Sequence, residues 1–268
     1  MMLKKSMKSI KILSLVLLSG LNMQMASADD AANKGLTIAT EADTRDTGWK
    51  DSTASMHMVL INAKGQKTER DLRLKSLEGV GDGDKSLSVF DSPKDVQGTA
   101  FLSFSHAVTP DEQWLYLPAL KRVKRISSAN KSGPFMGSEF AFEDLSSNEI
   151  AKYKYEYLRD ELVDGQDCFV VRNFPQYEHS GYKYRDVWID KLHYRTYKVE
   201  YYDRKGSLLK TLSQKNFQVY LGKYWRADQF VMVNHQTNKS TELTWKDYQF
   251  QTGLTEADFN RNSLMRTK

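Results

Sequence analysis

The sequence predicts a mainly β fold: a single antiparallel sheet of about ten or eleven strands curled toward a barrel, or a sandwich, with an N-terminal helix and short inserted helices. Three observations predict it. Apolar and polar residues alternate with period two in segment after segment between about residues 50 and 250, the spacing that sends successive side chains to opposite faces of a strand. Turn sequences such as "AKGQ", "VDGQ" and "RKGS" separate those segments, without the strand–helix alternation that a parallel sheet needs. Fourteen Tyr, twelve Phe and five Trp favour strand over helix.

The elements follow in order. Lys4, Lys5, Lys8 and Lys11 precede a short apolar core, 12–21, and "ASA" at 26–28. That layout predicts a secretory signal peptide over residues 1–28, leaving 29–268 as one soluble, exported domain. No cysteine lies near the cleavage point, so a lipid anchor is not expected. Ala32, Leu36 and Ala39 recur at helical spacing and predict a helix over 29–46, which Gly35 weakens. In 52–62, Met56, Met58 and Leu60 share one strand face, and His57, Val59 and Ile61 the other.

Further strands are predicted to about 77 and over 85–91, 98–106 and 113–127. Ser146 and Glu149 have capping-box spacing and predict a short helix near 146–151. Tyr153, Tyr155 and Tyr157 then restart the strand period. Segments 167–175, 184–191, 195–203, 208–214, 216–225, 229–236 and 241–250 continue it, and Thr255 with Asp258 caps a last short helix.

Charge excludes one class of function. The chain carries 39 basic and 34 acidic residues, but four of the lysines lie in the expected signal peptide, leaving a net charge of +1 over 29–268. A nucleic-acid partner therefore has no electrostatic support. No enzyme signature emerges either. The five histidines are scattered, and no zinc-protease helix, nucleophile elbow, phosphate loop or dinucleotide fingerprint occurs. No metal or cofactor is expected. "GDGD" at 81–84 reads as a turn rather than a calcium loop. Glu143 and Asp144 are adjacent, which on a strand would point them apart. Cys168 sits beside Phe169, Val170 and Val171, the setting of a buried strand thiol.

The stretch 111–145 concentrates the unusual features. It contains Trp114, Tyr116 and Leu117, then the cations Lys121, Arg122, Lys124 and Arg125, then "SGPFMGSEFAF". The quartet has two readings: a charged strand edge that blocks unwanted pairing, or a contact for an acidic partner or lipid phosphate. Phe135 and Met136 also have two: a loop that gates an apolar cavity, or ordinary core packing. A sheet this large cannot fill its own interior without a plug. The expected cavity and gate are Met56, Met58, Leu60, Phe101, Trp114, Tyr116, Leu117, Phe135, Met136, Phe140 and Phe142. The expected rim is Lys121, Arg122, Lys124, Arg125 and Glu139.

"WLYLPALKRVKRI" followed by "SGPFMGSEFAFEDL" resembles the signature of LolA-like periplasmic proteins, the outer-membrane lipoprotein-sorting proteins found beside RND-type (MMPL-like) exporters. "LVDGQDCFVV", "VWIDK" and "GLTEADF" extend the resemblance from about Trp49 to Phe259. The family pattern prefers Asp at Glu139 and Tyr at Phe142, both conservative differences. The resemblance implies an incomplete barrel over helices, an apolar cavity for acyl chains, and no catalytic residues. The expected function is a non-enzymatic, monomeric periplasmic carrier of a lipid or of lipoprotein acyl chains. The alternative is an accessory that docks on an RND/MMPL-type inner-membrane transporter and has no cargo of its own.

Overall fold

In the computed structural model, which describes residues 16–266, thirteen strands form one antiparallel sheet, more than the ten or eleven expected. They are β1 (Asp51–Ile61), β2 (Lys67–Leu77), β3 (Lys85–Ser92), β4 (Ala100–Phe104), β5 (Glu112–Leu117), β6 (Arg122–Ile126), β7 (Tyr153–Val163), β8 (Gln166–Pro175), β9 (Tyr182–Asp190), β10 (Thr196–Asp203), β11 (Leu208–Tyr220), β12 (Tyr224–Asn234) and β13 (Lys239–Phe250). Their order across the sheet is β6-β5-β4-β3-β2-β1-β13-β12-β11-β10-β9-β8-β7. The chain thus meanders from the middle of the sheet to one edge, crosses to the other edge, and meanders back. β1 and β13 meet in the middle, with Met56 opposite Trp245 and Met58 opposite Leu243. β6 and β7 do not pair, so the barrel is incomplete.

The crossing between the two edges is the insertion 127–152. It holds four 3-10 turns, Ser128–Asn130, Phe135–Gly137, Phe142–Leu145 and Ile150–Lys152, in place of one short helix near 146–151. Another turn, Glu256–Asp258, is capped as expected: the Thr255 amide donates to the Asp258 carboxylate at 2.9 Å.

Two strand boundaries differ from expectation for local reasons. Segment 113–127 is two strands, because Pro118 opens the 3-10 turn Pro118–Leu120 and Lys121 turns left-handed at φ 48°. Segment 208–214 and the first part of segment 216–225 are one strand, β11, and the true turn lies inside the second segment, at Leu221 and Gly222, with φ 51° and 67°. Two successive positive φ values make the hairpin turn that matches strand twist. The Lys223 amide closes it on the Tyr220 carbonyl at 3.0 Å.

The basic start and first part of the apolar core of the expected signal peptide lie outside the described residues. Helix α1 (Val16–Arg45) starts earlier than 29, and no helix among the described residues is long and apolar enough to cross a membrane. α1 packs on β7. Gly35 is the contact: a Cβ there would lie 2.8 Å from the Tyr157 amide nitrogen and 2.9 Å from Glu156 backbone atoms. The glycine that weakens the helix by propensity is therefore what lets it touch the strand. Ile38 and Ala39 of α1 join a core with Met56, Met58, Leu72, Phe90, Phe101 and Val187 on the inner face of the sheet. Part of the outer face is apolar too. Leu87, Val89, Leu102 and Trp114 are covered there by Phe259 and Leu264 of the C-terminal segment.

Candidate functional site

The insertion folds into the curl of the sheet as a small hairpin. The Phe135 amide donates to the Phe140 carbonyl at 2.7 Å, Phe142 to Gly133 at 3.1 Å, and Glu143 to Lys131 at 2.9 Å. These bonds present the apolar side chains to the inner face. Phe135 is 2% exposed, with ring centroids 5.9 Å from Phe90, 5.1 Å from Phe101 and 5.6 Å from Phe142. Phe140 and Met136 pack in the same core as Met56, Met58, Leu60 and Phe101. The expected gate is thus seated as a plug.

Polar contacts hold the plug to the sheet. The Lys210 ammonium lies 2.7 Å from the Asp144 carboxylate and also donates to the Glu139 carbonyl at 2.9 Å. The Tyr182 hydroxyl donates to Asp144 at 2.9 Å. Glu143 accepts from the Tyr177 hydroxyl, the Ser180 hydroxyl and the Gly181 amide at 3.0, 2.8 and 2.8 Å. Burial, and then the charge of Asp144, push the Glu143 carboxyl above the usual carboxylate range. The two acids lie on a 3-10 turn rather than a strand, and each is engaged by its own partners. At the hairpin's base, Asp111 receives ammonium groups from both ends of the insertion, Lys131 at 3.3 Å and Lys152. Despite its burial, those two cations hold the Asp111 carboxyl below its ordinary value. Arg70 of β2 donates to the Met136 carbonyl at 2.6 Å.

A pocket of about 430 Å³ remains between β5, β6 and the insertion, within the range of small-ligand sites. Leu115, Leu117, Lys124, Ile126, Ala129, Asn130, Ser132, Gly133, Pro134 and Phe142 line it. Lys124 is the one charged side chain in that lining. It stands opposite Leu115 in the strand pair, and Arg122 opposite Leu117, so both cations share the pocket's side of the sheet.

The structure sorts the expected site residues into separate groups. Leu117, Phe142 and Lys124 line the pocket. Met56, Met58, Leu60, Phe101, Phe135, Met136 and Phe140 lie in the filled inner core. Trp114 and Tyr116 do not join them: they belong to the outer-face cluster, with Trp114 5.2 Å from Phe104 between ring centroids. The same strand period that placed them could have separated them from Leu117. It failed because the C-terminal segment makes the outer face apolar as well. Arg125 turns outward to Glu112 at 2.9 Å, and Lys121 sits in the turn before β6. Glu139 is not on the basic hairpin's rim; its carboxylate accepts from the Asn234 amide of β12 at 2.7 Å. Leu115 and Ile126, which were not among the expected cavity residues, complete the pocket's apolar wall with Leu117 and Phe142.

Other reactive groups have structural partners. Cys168 is fully buried, and burial pushes its thiol up to about 11. In "GDGD", Asp82 accepts from the His106 ring and the Ala107 amide at 2.7 and 2.8 Å, and Asp84 from the Gly79 amide at 3.0 Å. Among the described residues, no three His, Cys, Asp or Glu side chains cluster to hold a metal ion.

A family model described as "uncharacterized protein" matches residues 82–266. A crystal structure described as an outer membrane lipoprotein-sorting protein domain from Vibrio parahaemolyticus is 62% identical, spans 88% of this chain and 100% of its own, and superposes with a TM-score of 0.86. A DUF1329 family protein from Desulfovibrio piger is 29% identical, spanning 87% of this chain and 99% of its own at a TM-score of 0.83. A LolA superfamily protein from Nitrosomonas europaea, 20% identical, shares the fold at a TM-score of 0.67 over 84% of this chain and 97% of its own. A search of curated proteins finds no match.

Proposed function

We propose a function from the premise that this chain belongs to the LolA-like family of outer-membrane lipoprotein-sorting proteins. The protein is a periplasmic, non-enzymatic carrier, and its cargo is a lipid or the acyl chain of a lipidated protein. The observation that carries this reading is the pocket beside β5 and β6, with an apolar wall of Leu115, Leu117, Ile126 and Phe142 and a lysine at its side. Each methylene of an acyl chain buried there contributes about 0.8 kcal/mol, so the pocket needs no chemistry to hold cargo. Lys124 and Arg122 supply positive charge for an anionic head group. The seated plug limits what fits. Cargo larger than the pocket has to displace Phe135 and Phe142 from Phe101, a closed state that opens at a cost in apolar contact.

Native mass spectrometry with lipid extraction, on protein purified gently from periplasm, tests the reading. Stoichiometric lipid that is lost on Leu115→Arg supports it. Empty protein that takes up no fluorescent acyl probe overturns it. A second reading, an accessory docked on an RND-type exporter, is favoured by the basic strand β6. Crosslinking from β6 to a membrane transporter in native membranes tests that one.

A further inference from the structure

The two edges of the sheet are treated differently. β7 lies against α1, with Gly35 on its backbone. β6 is the terminal strand on the other side, and among the described residues no strand pairs with its outer edge. An edge strand presents unpaired amides and carbonyls, which another extended chain can satisfy. Of the cations here, only Arg125 has a partner, Glu112 at 2.9 Å. The side chains of Lys121, Arg122 and Lys124 have no ion pair or hydrogen bond among the described residues. Arg122 and Lys124 face the same side as Leu117 and Leu115, and the pocket lies on that side.

We infer that β6 is a docking strand for an extended, acidic polypeptide segment, which adds to the sheet as a further antiparallel strand. The backbone argues for a polypeptide rather than a membrane surface: a lipid head group neutralises the cations but leaves the edge amides and carbonyls unpaired. Charge decides the sequence that fits. Residues directly opposite each other in an antiparallel pair share a face. The partner therefore carries carboxylates opposite Lys124 and Arg122, two residues apart. Opposite Ile126, two residues before the first carboxylate, it carries an apolar side chain that reaches the pocket mouth. Opposite Val123, between the carboxylates, it carries a second apolar residue on the outer face. Peptide docking does not require lipid in the pocket.

The test uses the full-length protein and a fluorescein-labelled peptide of that pattern, apolar–any–acidic–apolar–acidic. Fluorescence anisotropy should show salt-sensitive binding. Arg122→Glu with Lys124→Glu should weaken it by about tenfold or more. Both sites are exposed, so circular dichroism should find the variant folded. Hydrogen exchange should slow on peptide binding within 122–126. Absence of binding, equal binding by the charge-reversed protein, or protection confined to other strands would overturn the inference. So would charge-dependent capture of phosphatidylglycerol vesicles without capture of the peptide, which would make the edge a membrane contact. Acyl-probe uptake by the unaltered protein, measured without peptide, reports on the carrier reading separately.

Discussion

Lys210 on β11 and Asp144 in the insertion form a 2.7 Å ion pair whose side chains are only 4% and 5% exposed. The pair locks the plug to the half of the sheet farthest along the chain from β6. Replacing the cation alone leaves a buried carboxylate with only hydrogen bonds for company. Lys210→Met should cost about 3–5 kcal/mol, read as a lowered urea midpoint. Lys210→Met with Asp144→Leu removes both charges and should recover much of that loss. Equal losses in the single and double variants would show that the pair does not fix the plug.

Gly35→Ala sets two effects against each other. The helix gains about 1 kcal/mol in propensity. The new Cβ meets backbone atoms of Glu156 and Tyr157 at 2.8–2.9 Å, which cannot rotate away. The clash should win, with a net loss of about 1–3 kcal/mol. A raised melting temperature would mean that α1 does not press on β7.

Asp84 predicts a pH dependence. Burial, reinforced by the charges of Glu149 and Glu78, raises its carboxyl from 3.8 to about 6. The folded state thus binds the proton more tightly than the unfolded chain does, so stability falls as pH rises from about 4 to about 6. The loss is on the order of 1–3 kcal/mol. Asp84→Asn should flatten that part of the profile and be more stable than the parent at pH 7. An unchanged profile would mean the carboxyl titrates normally.

Phe135→Ala removes the ring at the centre of the Phe90, Phe101 and Phe142 group. Thermal unfolding should report a loss of about 3–5 kcal/mol. The vacated space adjoins Phe142, a pocket residue, so binding of a fluorescent acyl probe should strengthen. Destabilisation with weaker probe binding would argue that the plug shapes the pocket rather than filling it.

Strand period and turn chemistry made most of the sheet legible in the sequence, and the motif in 114–145 made the family legible. The hairpin turn at Leu221 and Gly222 was hidden because leucine, not asparagine or aspartate, takes the first left-handed position. The 3-10 turns of the insertion were hidden because their residues follow tertiary contacts, such as Phe135 on Phe101, rather than helical periodicity. The pocket wall was only half legible. Leu117, Phe142 and Lys124 could be named from apolar and basic character alone. Trp114 and Tyr116 have the same character and face the other way, because Leu264 and Phe259 cover them. Lys210 gave no signal at all, since its partner Asp144 is distant in sequence and meets it only once the sheet curls.

The pairing of β1 with β13 has a kinetic consequence. Each arm of the meander, β1 to β6 and β7 to β13, forms from neighbours in sequence, at a low loop-closure cost. The central seam joins Met56 to Trp245, nearly the whole length of the domain. Contacts of that separation form slowly, so the middle of the sheet is expected to be the last part to assemble and the first strand pair to be missing in any folding intermediate.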